Sequence, residues 1–317
     1  MSAVRIRSIL LAALSLLLLA APAFAAKYPQ KAVNLTVPYS AGGSTDIVFR
    51  GLVDEFQKVT GQPLVIINKP GGPSVGMTEA RTYAPDGYNL VVTPSAFAVV
   101  SALKVVPFDQ NEFTHIANIS SETLAFVVRG DSPWNNLKDL AEAAKKAPGA
   151  ITVGVAGAGS LGHLSSLGVQ KAADVKLTIV PFGGNNPALA ALLGGHVSVA
   201  TLHPSEYFAQ QKAGKVKTIC VLTPKRDHFV PDVPTAKEQG VNFAIDDIRW
   251  VAGPKGMPAD VVKQLQEAFK KIVATQAYKD HANKMVFEVN YMEGDVLKKN
   301  IDELFASVKA LASEVKK

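Results

Sequence analysis

Short apolar runs rich in β-branched residues alternate along this chain with longer segments of helical spacing, and this alternation most constrains its fold. The predicted strands are Val33 to Val37, Leu64 to Ile67, Leu90 to Thr93, Phe126 to Val128, Ile151 to Val155, Leu177 to Val180, Val197 to Leu202 and Val216 to Leu222. The predicted helices are Asp46 to Thr60, Leu137 to Lys146, His163 to Ala173, Pro187 to Leu193, Ala259 to Thr275 and Gly294 to Lys316. Strands that alternate with helices indicate the α/β class, with mostly parallel sheets covered by helices on both faces.

The N-terminus has the pattern of a secretory signal peptide. Arg5 and Arg7 precede an apolar run from Ile9 to Ala21, and Ala23-Phe24-Ala25 supplies small residues at a cleavage site. A retained membrane anchor is disfavoured, because a span needs roughly 20 uninterrupted apolar residues and this run is shorter. We therefore expect residues 1–25 to be removed and the mature protein to be periplasmic.

Charge and cysteine content exclude several classes of protein. The formal net charge of +6 is scattered, and without a run of five or six like charges we expect no nucleic-acid partner and no polybasic membrane patch. Cys220 is the single cysteine and lies in an apolar run, so we expect a small core residue. A mature chain of about 290 residues is long enough for two domains.

Glycine-rich loops recur where a predicted strand ends and a helix begins. The first glycine loop is Pro38 to Asp46, the second is Ala156 to Gly162, and the third is Pro181 to Asn186. Glycine allows close approach of a ligand to the backbone, and the start of a helix offers unpaired N–H groups. Such loops favour anions, and ligands of open α/β sheets lie at the carboxyl ends of strands.

These loops and two strand ends provide the candidate ligand-binding residues. They are Tyr39, Ser40, Ala41, Gly42, Gly43, Ser44, Asp46, Thr93, Ser95, Ala158, Gly159, Ser160, His163, Gly183, Asn185 and His203. A single loop of this kind is more often only a turn, and Asp46 is also well placed to cap a helix and order its loop.

The second glycine loop contains the dinucleotide fingerprint G-x-G-x-x-G in Gly157, Gly159 and Gly162. A dinucleotide fold needs an acid about 20 residues further on, at the end of the next strand. That strand ends in Val180-Pro181-Phe182, and the chain has no G-x-x-x-x-G-K-[ST] phosphate loop. We therefore expect no nucleotide cofactor.

Catalytic and metal chemistry have little support in the sequence. Ser160 and His163 leave open an exported ester hydrolase, but no G-x-S-x-G elbow surrounds the serine and no acid is tied to the histidine. His196 and His203 are seven residues apart, which along a strand places them on opposite faces. We expect neither an enzyme nor a metal site.

An ordered set of motifs resembles the periplasmic solute-binding proteins of tripartite tricarboxylate transporters, the Bug family. The motifs are Val37-Pro38-Tyr39-Ser40-Ala41-Gly42-Gly43-Ser44-Thr45-Asp46, Asn68-Lys69-Pro70-Gly71-Gly72, Ala84-Pro85-Asp86-Gly87-Tyr88, Gly159-Ser160-Leu161-Gly162-His163-Leu164, Val180-Pro181-Phe182-Gly183-Gly184, Leu192-Leu193-Gly194-Gly195-His196-Val197, Asp232-Val233-Pro234-Thr235 and Trp250-Val251-Ala252-Gly253-Pro254. They extend over essentially the whole mature chain. Where the family often has a Gly- or Asn-containing turn, this chain has Thr93-Pro94-Ser95-Ala96-Phe97.

The resemblance implies a two-lobed, type II-like periplasmic binding protein, and we expect it to be a monomer. Its lobes would close by hinge motion on a small organic carboxylate and deliver it to a large and a small membrane subunit. The carboxylate would be held by backbone groups and ordered waters of the first loop and of the loop carrying Ser160. Lobe one would comprise residues 27–126 and 224–317, and lobe two residues 127–223.

Two further points stay open in the sequence. Arg249 is suited to pair with a distal carboxylate of the ligand, or else with Asp246 or Asp247, and Tyr39 either covers the ligand or packs on the lobe. Anion sites on both lobes favour a di- or tricarboxylate-like ligand. A sensor that passes its signal to a membrane receptor would use the same binding chemistry.

Overall fold

The computed structural model describes residues 28–315 of the chain. The predicted signal peptide, residues 1–25, lies outside the described residues. All of the helices and strands below belong to one unit, Lys31–Lys317.

Strands and helices alternate as the sequence predicts. The strands are β1 (Val33–Val37), β2 (Leu64–Asn68), β3 (Asn89–Pro94), β4 (Phe113–Glu122), β5 (Ala125–Arg129), β6 (Thr152–Val155), β7 (Thr178–Pro181), β8 (Val199–Leu202), β9 (Val216–Val221), β10 (Asp247–Pro254) and β11 (Glu288–Glu293). The helices are α1 (Ser44–Arg50), α2 (Val53–Thr60), α3 (Gly72–Ala80), α4 (Ala96–Ala102), α5 (Leu137–Lys146), α6 (Leu161–Ala172), α7 (Asn185–Leu193), α8 (Pro204–Lys212), α9 (Ala259–Ala274), α10 (Gln276–Met285) and α11 (Gly294–Val315). None of the helices within residues 28–315 is both long and apolar enough to cross a membrane.

The strands form two mixed sheets, which confirms the α/β class. The six-stranded sheet has the order β11-β4-β10-β3-β1-β2, and the five-stranded sheet has the order β7-β6-β8-β5-β9. Pairing is parallel between β1 and its neighbours β2 and β3, and between β6 and its neighbours β7 and β8. The other pairs are antiparallel.

The sheets predicted as mostly parallel are mixed, because β5, β10 and β11 run against the other strands. Strand β5 begins beside the end of β8, where Ala125 pairs with Leu202, and β10 begins beside the end of β4, where Asp247 pairs with Glu122. Each of these strands enters its sheet at the edge where neighbouring strands end. It therefore runs antiparallel to these neighbours, and the connection that leads into it needs no helical crossover.

The predicted helix from Asp46 to Thr60 is divided into α1 and α2. Gly51 ends α1, and a side chain there would collide with the ring of His281. Glycine also weakens a helix interior by about 1 kcal/mol relative to alanine. Helix α1 thus starts inside the first glycine loop, and α2 packs against α9 and β2.

Apolar side chains from both faces of the sheets form the core. Phe97 of α4 meets Phe113 and Phe305 edge to face, with ring centroids 5.5 Å apart in each pair. The Cys220 thiol is fully buried in β9, and this confirms the expectation of a core residue. Burying each phenylalanine contributes about 1.5–3 kcal/mol to folding.

The chain passes between the two sheets at residues 123–124 and again at residues 222–246. The Leu222 N–H donates to the carbonyl oxygen of Leu124 at 2.7 Å, and the Ile245 N–H donates to that of Leu222 at 2.8 Å. Two adjacent crossings of this kind are suited to a hinge. The lobe boundaries near residues 126 and 224 stay a prediction.

Candidate ligand-binding cleft

A cavity of about 630 Å³ lies where strand ends of the two sheets face each other. The six-stranded sheet contributes Tyr39, Ser40, Gly42, Gly43, Ser44, Thr45, Ile47, Pro94, Ala96, Asp247, Arg249 and Met285. The five-stranded sheet and its helices contribute Ala156, Ser160, Leu161, Gly162, Gly183, Gly184, Asn185, Asn186, Pro187, His203, Ser205 and Glu206, and Leu124 lies between. All three glycine loops therefore meet at one cavity.

The Asp46 side chain stabilises the conformation of the first glycine loop. The Asp46 carboxylate accepts hydrogen bonds from the Gly42 N–H at 2.8 Å, from Arg50 Nε at 2.6 Å and from Asn68 Nδ2 at 2.8 Å. Burial opposes its ionisation, but the bonds from Arg50, Gly42 and Asn68 together lower the pKa of Asp46. Asp46 is 1% exposed and does not line the cavity, and Gly43 takes the cap position. Asp46 thus orders the loop.

The second glycine loop opens helix α6 with Ser160 as its N-cap. Ser160 Oγ accepts the backbone N–H of His163 at 3.1 Å, which leaves the hydroxyl proton free to donate. Leu161 and Gly162, the first two residues of α6, line the cavity, and N–H groups at these positions have no partner within a helix. The loop therefore presents a hydroxyl and two backbone donors.

His163 supports this loop and does not line the cavity. Its Nδ1 accepts the Gly159 N–H at 2.9 Å, and burial lowers the pKa of the imidazole, so the ring is a neutral acceptor. Gly159 has a φ of +74°, a conformation that favours glycine. Ser160 Oγ bonds the backbone of His163 and not its ring, so the base that a hydrolase needs is not in place.

The third glycine loop and the end of β8 bring helices α7 and α8 to the same wall. Asn185 Nδ2 donates to Glu206 Oε1 at 2.8 Å, and the backbone N–H of His203 donates to Glu206 Oε2 at 2.9 Å. The Glu206 side chain therefore joins the starts of α7 and α8. The Ser205 hydroxyl is buried beside it and makes no hydrogen bond within residues 28–315.

A buried group of charges closes the base of the cavity. Arg249 Nη1 lies 2.6 Å from Glu122 Oε1, and Nη2 donates to Oε2 at 2.8 Å. The same guanidinium donates to Thr45 Oγ1 at 3.0 Å and to Ser44 Oγ at 3.3 Å. The expected pairing of Arg249 with Asp246 or Asp247 is wrong, because the nearest carboxylate comes from β4, a strand that the sequence did not indicate.

His203 links this group to the five-stranded sheet. Its Nδ1 lies 3.2 Å from the Thr123 carbonyl oxygen and 3.4 Å from Glu122 Oε2, and its Nε2 lies 3.5 Å from Asp247 Oδ2. Burial would lower the pKa of His203, but Glu122, Glu206 and Asp247 together raise it. Burial also raises the pKa of Asp247, whereas Arg249 and His203 outweigh burial and lower that of Glu122.

The structure brings nine of the sixteen predicted site residues to the cavity: Tyr39, Ser40, Gly42, Gly43, Ser44, Ser160, Gly183, Asn185 and His203. The others, Ala41, Asp46, Thr93, Ser95, Ala158, Gly159 and His163, are not on its wall. Ser95 Oγ accepts the Ile248 N–H at 2.8 Å, so this serine positions β10. Thr93 is fully buried in β3 and its Oγ1 points to Met77 Sδ.

Sequence reasoning missed three groups on or behind the wall, namely Glu122, Ser205 and Glu206. It named Thr45 within the first glycine loop and Asp247 as a partner for Arg249, but it did not predict that both line the cavity. The capping position of Glu206, three residues after His203, was an available signal. Within residues 28–315 no group of three or more His, Cys, Asp or Glu side chains is placed to hold a metal ion.

Two α/β sheets that enclose a cavity lined by helix starts and hydroxyls define a two-lobed solute-binding protein. The chain belongs to the tripartite tricarboxylate transporter family receptors, TctC, whose family model matches residues 48–316. It is thus a periplasmic solute-binding receptor, and this confirms both the resemblance and the expectation that it is not an enzyme.

Relatives support the assignment over most of the chain. The UPF0065 protein in the gbd 5′ region of Cupriavidus necator is 34% identical over 89% of this chain and 86% of its own. A TctC solute-binding protein from Polaromonas is 31% identical with a TM-score of 0.79, covering 90% of this chain and 99% of its own. MatC from Rhodopseudomonas palustris, solved with bound malate, is 26% identical with a TM-score of 0.76, covering 90% of this chain and all 100% of its own.

Proposed function

We propose that this receptor captures a small organic carboxylate, di- or tricarboxylate-like, in the cleft between its sheets. The carrying observation is that the starts of α6, α7 and α8 and the first glycine loop meet at one cavity. Arg249 is already engaged by Glu122, so the anion grip consists of neutral donors. Hydrogen bonds to a charged group contribute about 1.5–3 kcal/mol each, so a few of them suffice for tight binding.

Donors of both sheets face the cavity, which favours a ligand with a carboxylate at each end. Ser44 lies on the side of the six-stranded sheet, and Ser160 lies on the side of the five-stranded sheet. Bound malate in MatC supports a dicarboxylate for this chain as well. Closure would bend the crossings at Leu124 and Leu222, with lobe boundaries near residues 126 and 224.

Calorimetry and thermal shift with a carboxylate panel test the ligand class. A ligand that binds only the folded state stabilises it by about 2.7 kcal/mol at 100 times its Kd. We expect malate or a related dicarboxylate to raise the melting temperature, and we expect a matching monocarboxylate to bind more weakly. Equal affinity for the two would contradict the two-ended site, and a flat panel would refute carboxylate binding.

Ser160→Ala tests the second glycine loop against a matched control. The variant loses an N-cap, which costs about 1 kcal/mol, and also loses a donor to the ligand. Asn136 caps α5 in the same way, its side chain accepting the Asp139 N–H at 2.8 Å, and it is not on the cavity wall. We expect both variants to lose similar stability and only Ser160→Ala to lose affinity.

We further propose that residues 1–25 are removed on export and that the loaded, monomeric receptor delivers its ligand to a large and a small membrane subunit. The family description supports the transporter, and the sequence pattern supports export. Uptake of labelled ligand by cells with and without this chain is the direct test. Uptake that is unchanged by deletion would instead favour a sensor.

A further inference from the structure

Acidic side chains on the wall of a cavity proposed to bind an anion need an explanation. The ionisable side chains on this wall include one histidine, two carboxylic acids and one arginine, namely His203, Glu206, Asp247 and Arg249. Two of the four are carboxylic acids. A carboxylate ligand placed beside them adds a like charge in a partly desolvated space.

Arg249 does not offset these acids, because Glu122 already neutralises it. The two side chains are 5% and 2% exposed and form a two-point contact at 2.6 and 2.8 Å. Nε donates to Thr45 Oγ1 and Nη2 also donates to Ser44 Oγ, whereas Nη1 forms only the ion-pair contact with Glu122 and makes no hydrogen bond within residues 28–315. The Arg249–Glu122 pair therefore counts as neutral toward a ligand.

His203 is then the remaining side chain on the wall that becomes cationic when protonated, and ionisable side chains from three elements lie around it. Glu122 lies on β4, Asp247 and Arg249 lie on β10, and Glu206 lies on its own helix α8. With His203 protonated, the group of five carries one net negative charge if all three acids are ionised. With His203 neutral it carries two.

We propose, on the basis of the carboxylate binding proposed above, that ligand capture is coupled to uptake of a proton by the group His203, Glu206 and Asp247. The proton comes from solvent and goes to the imidazole or to one of the two carboxylates, with no other bond made or broken. It removes one negative charge from the wall as the ligand brings its own. Burial raises the pKa of Glu206 and of Asp247, so both acids are easier to protonate than in water.

The linkage has a definite sign. A group that gains a proton on ligand binding has a higher pKa in the complex than in the free protein. Between these two pKa values, the affinity for the ligand rises as the pH falls. One full proton corresponds to about a tenfold change in Kd per pH unit. The useful window lies above about pH 6, where the ligand's own carboxylic acids are ionised.

Titration calorimetry of the wild-type protein with malate decides the question. Measurements at one pH in phosphate and in Tris report the protons taken up, because the two buffers differ in ionisation enthalpy. We expect net uptake at pH 7.5 and a Kd that falls between pH 8.5 and pH 6.5. If malate or another carboxylate of the panel binds without proton uptake, or with proton release, the coupling to a proton is refuted while the proposed carboxylate binding stands. A panel with no binding at all would overturn the proposed function, and this inference with it.

Variants locate the proton. His203→Gln, Glu206→Gln and Asp247→Asn each remove one titrating group and keep a polar side chain, and we expect at least one of them to lower the uptake. His196→Gln is the matched control, because His196 is exposed and not on the cavity wall. Uptake unchanged in all three variants, each checked for folding by thermal melting, would refute this location.

Discussion

The buried pair of Arg249 and Glu122 predicts a large loss of stability when the arginine is removed. Arg249→Met keeps the length and apolar volume of the side chain but leaves the Glu122 carboxylate, 2% exposed, without its guanidinium partner. Breaking a buried ion pair in this way costs about 3–5 kcal/mol. His203, 3.4 Å away, is a weaker substitute, because it is itself shared with Asp247.

The second arm of the comparison is Glu122→Gln, which we expect to cost less. Arg249 then keeps the hydroxyls of Ser44 and Thr45 and the nearby charge of Asp247. The double variant removes both charges, so its loss should be smaller than the sum of the two single losses by about 1–3 kcal/mol.

The pH dependence follows from the same pair. In the wild-type protein the pKa of Glu122 is lower than in the unfolded chain. The ionised carboxylate therefore stabilises the folded protein at a pH above the pKa of the unfolded chain, and this stabilisation is lost as the pH falls through the pKa of the folded protein. In Arg249→Met, burial without the guanidinium raises the pKa of Glu122. The deficit of the variant should therefore be largest at neutral pH and shrink in acid.

Urea unfolding followed by tryptophan fluorescence measures these differences, since Trp250 is buried next to Arg249 on β10. Arg226→Met is the control, because Arg226 pairs with Glu238 at the surface and should change little. A loss below about 1 kcal/mol for Arg249→Met, or additive losses in the double variant, would refute the reasoning.

Three further outcomes concern the second glycine loop and the core. Gly162→Ala should cost about 1 kcal/mol, because its new methyl group would lie 3.3 Å from the buried Thr201 Cβ, whereas Gly157→Ala has ordinary contacts and should change the melting temperature little. Gly159→Ala should cost about 1–2 kcal/mol in the same melting assay, because its φ is +74°. Cys220 should react with a thiol reagent only in denaturant, because it is buried and burial raises the pKa of its thiol.

Local sequence signals were sufficient to predict the bounds of some strands and helices. Strand β1 and helix α5 have the predicted bounds, because a short apolar run and an apolar stripe that is followed by Pro148-Gly149 are both readable within one segment. Strand β4 was missed, because its buried positions include Asn118, Ser120 and Glu122, so it shows no apolar alternation. Strand β11 was missed as well, because none of its residues is fully buried.

The same limit applies to the site. The glycine loops are contiguous in sequence and were predicted, as was the role of Asp46 in ordering its loop. The charged group was not, because Glu122 and Arg249 lie 127 residues apart and meet only through strand pairing. Sequence reasoning therefore identified the neutral donors of the cleft and singled out His203 and Arg249, but it missed Glu122 and Glu206 and the contacts that join these charges.

Antiparallel pairing of β10 with β4 is what creates the charged group. In this register Asp247 stands opposite Glu122 and Arg249 stands opposite Ser120, so Glu122 and Arg249 are diagonal neighbours on one face. A shift of one residue would turn every side chain of β10 to the other face, and the register shift seen between Arg249 and Trp250 comes only after the charged residues. The antiparallel direction of β10 therefore places the Arg249 guanidinium behind Ser44 and the Asp247 carboxylate beside His203. The chemistry of the cleft therefore depends on β10, the strand that enters the six-stranded sheet after the second crossing.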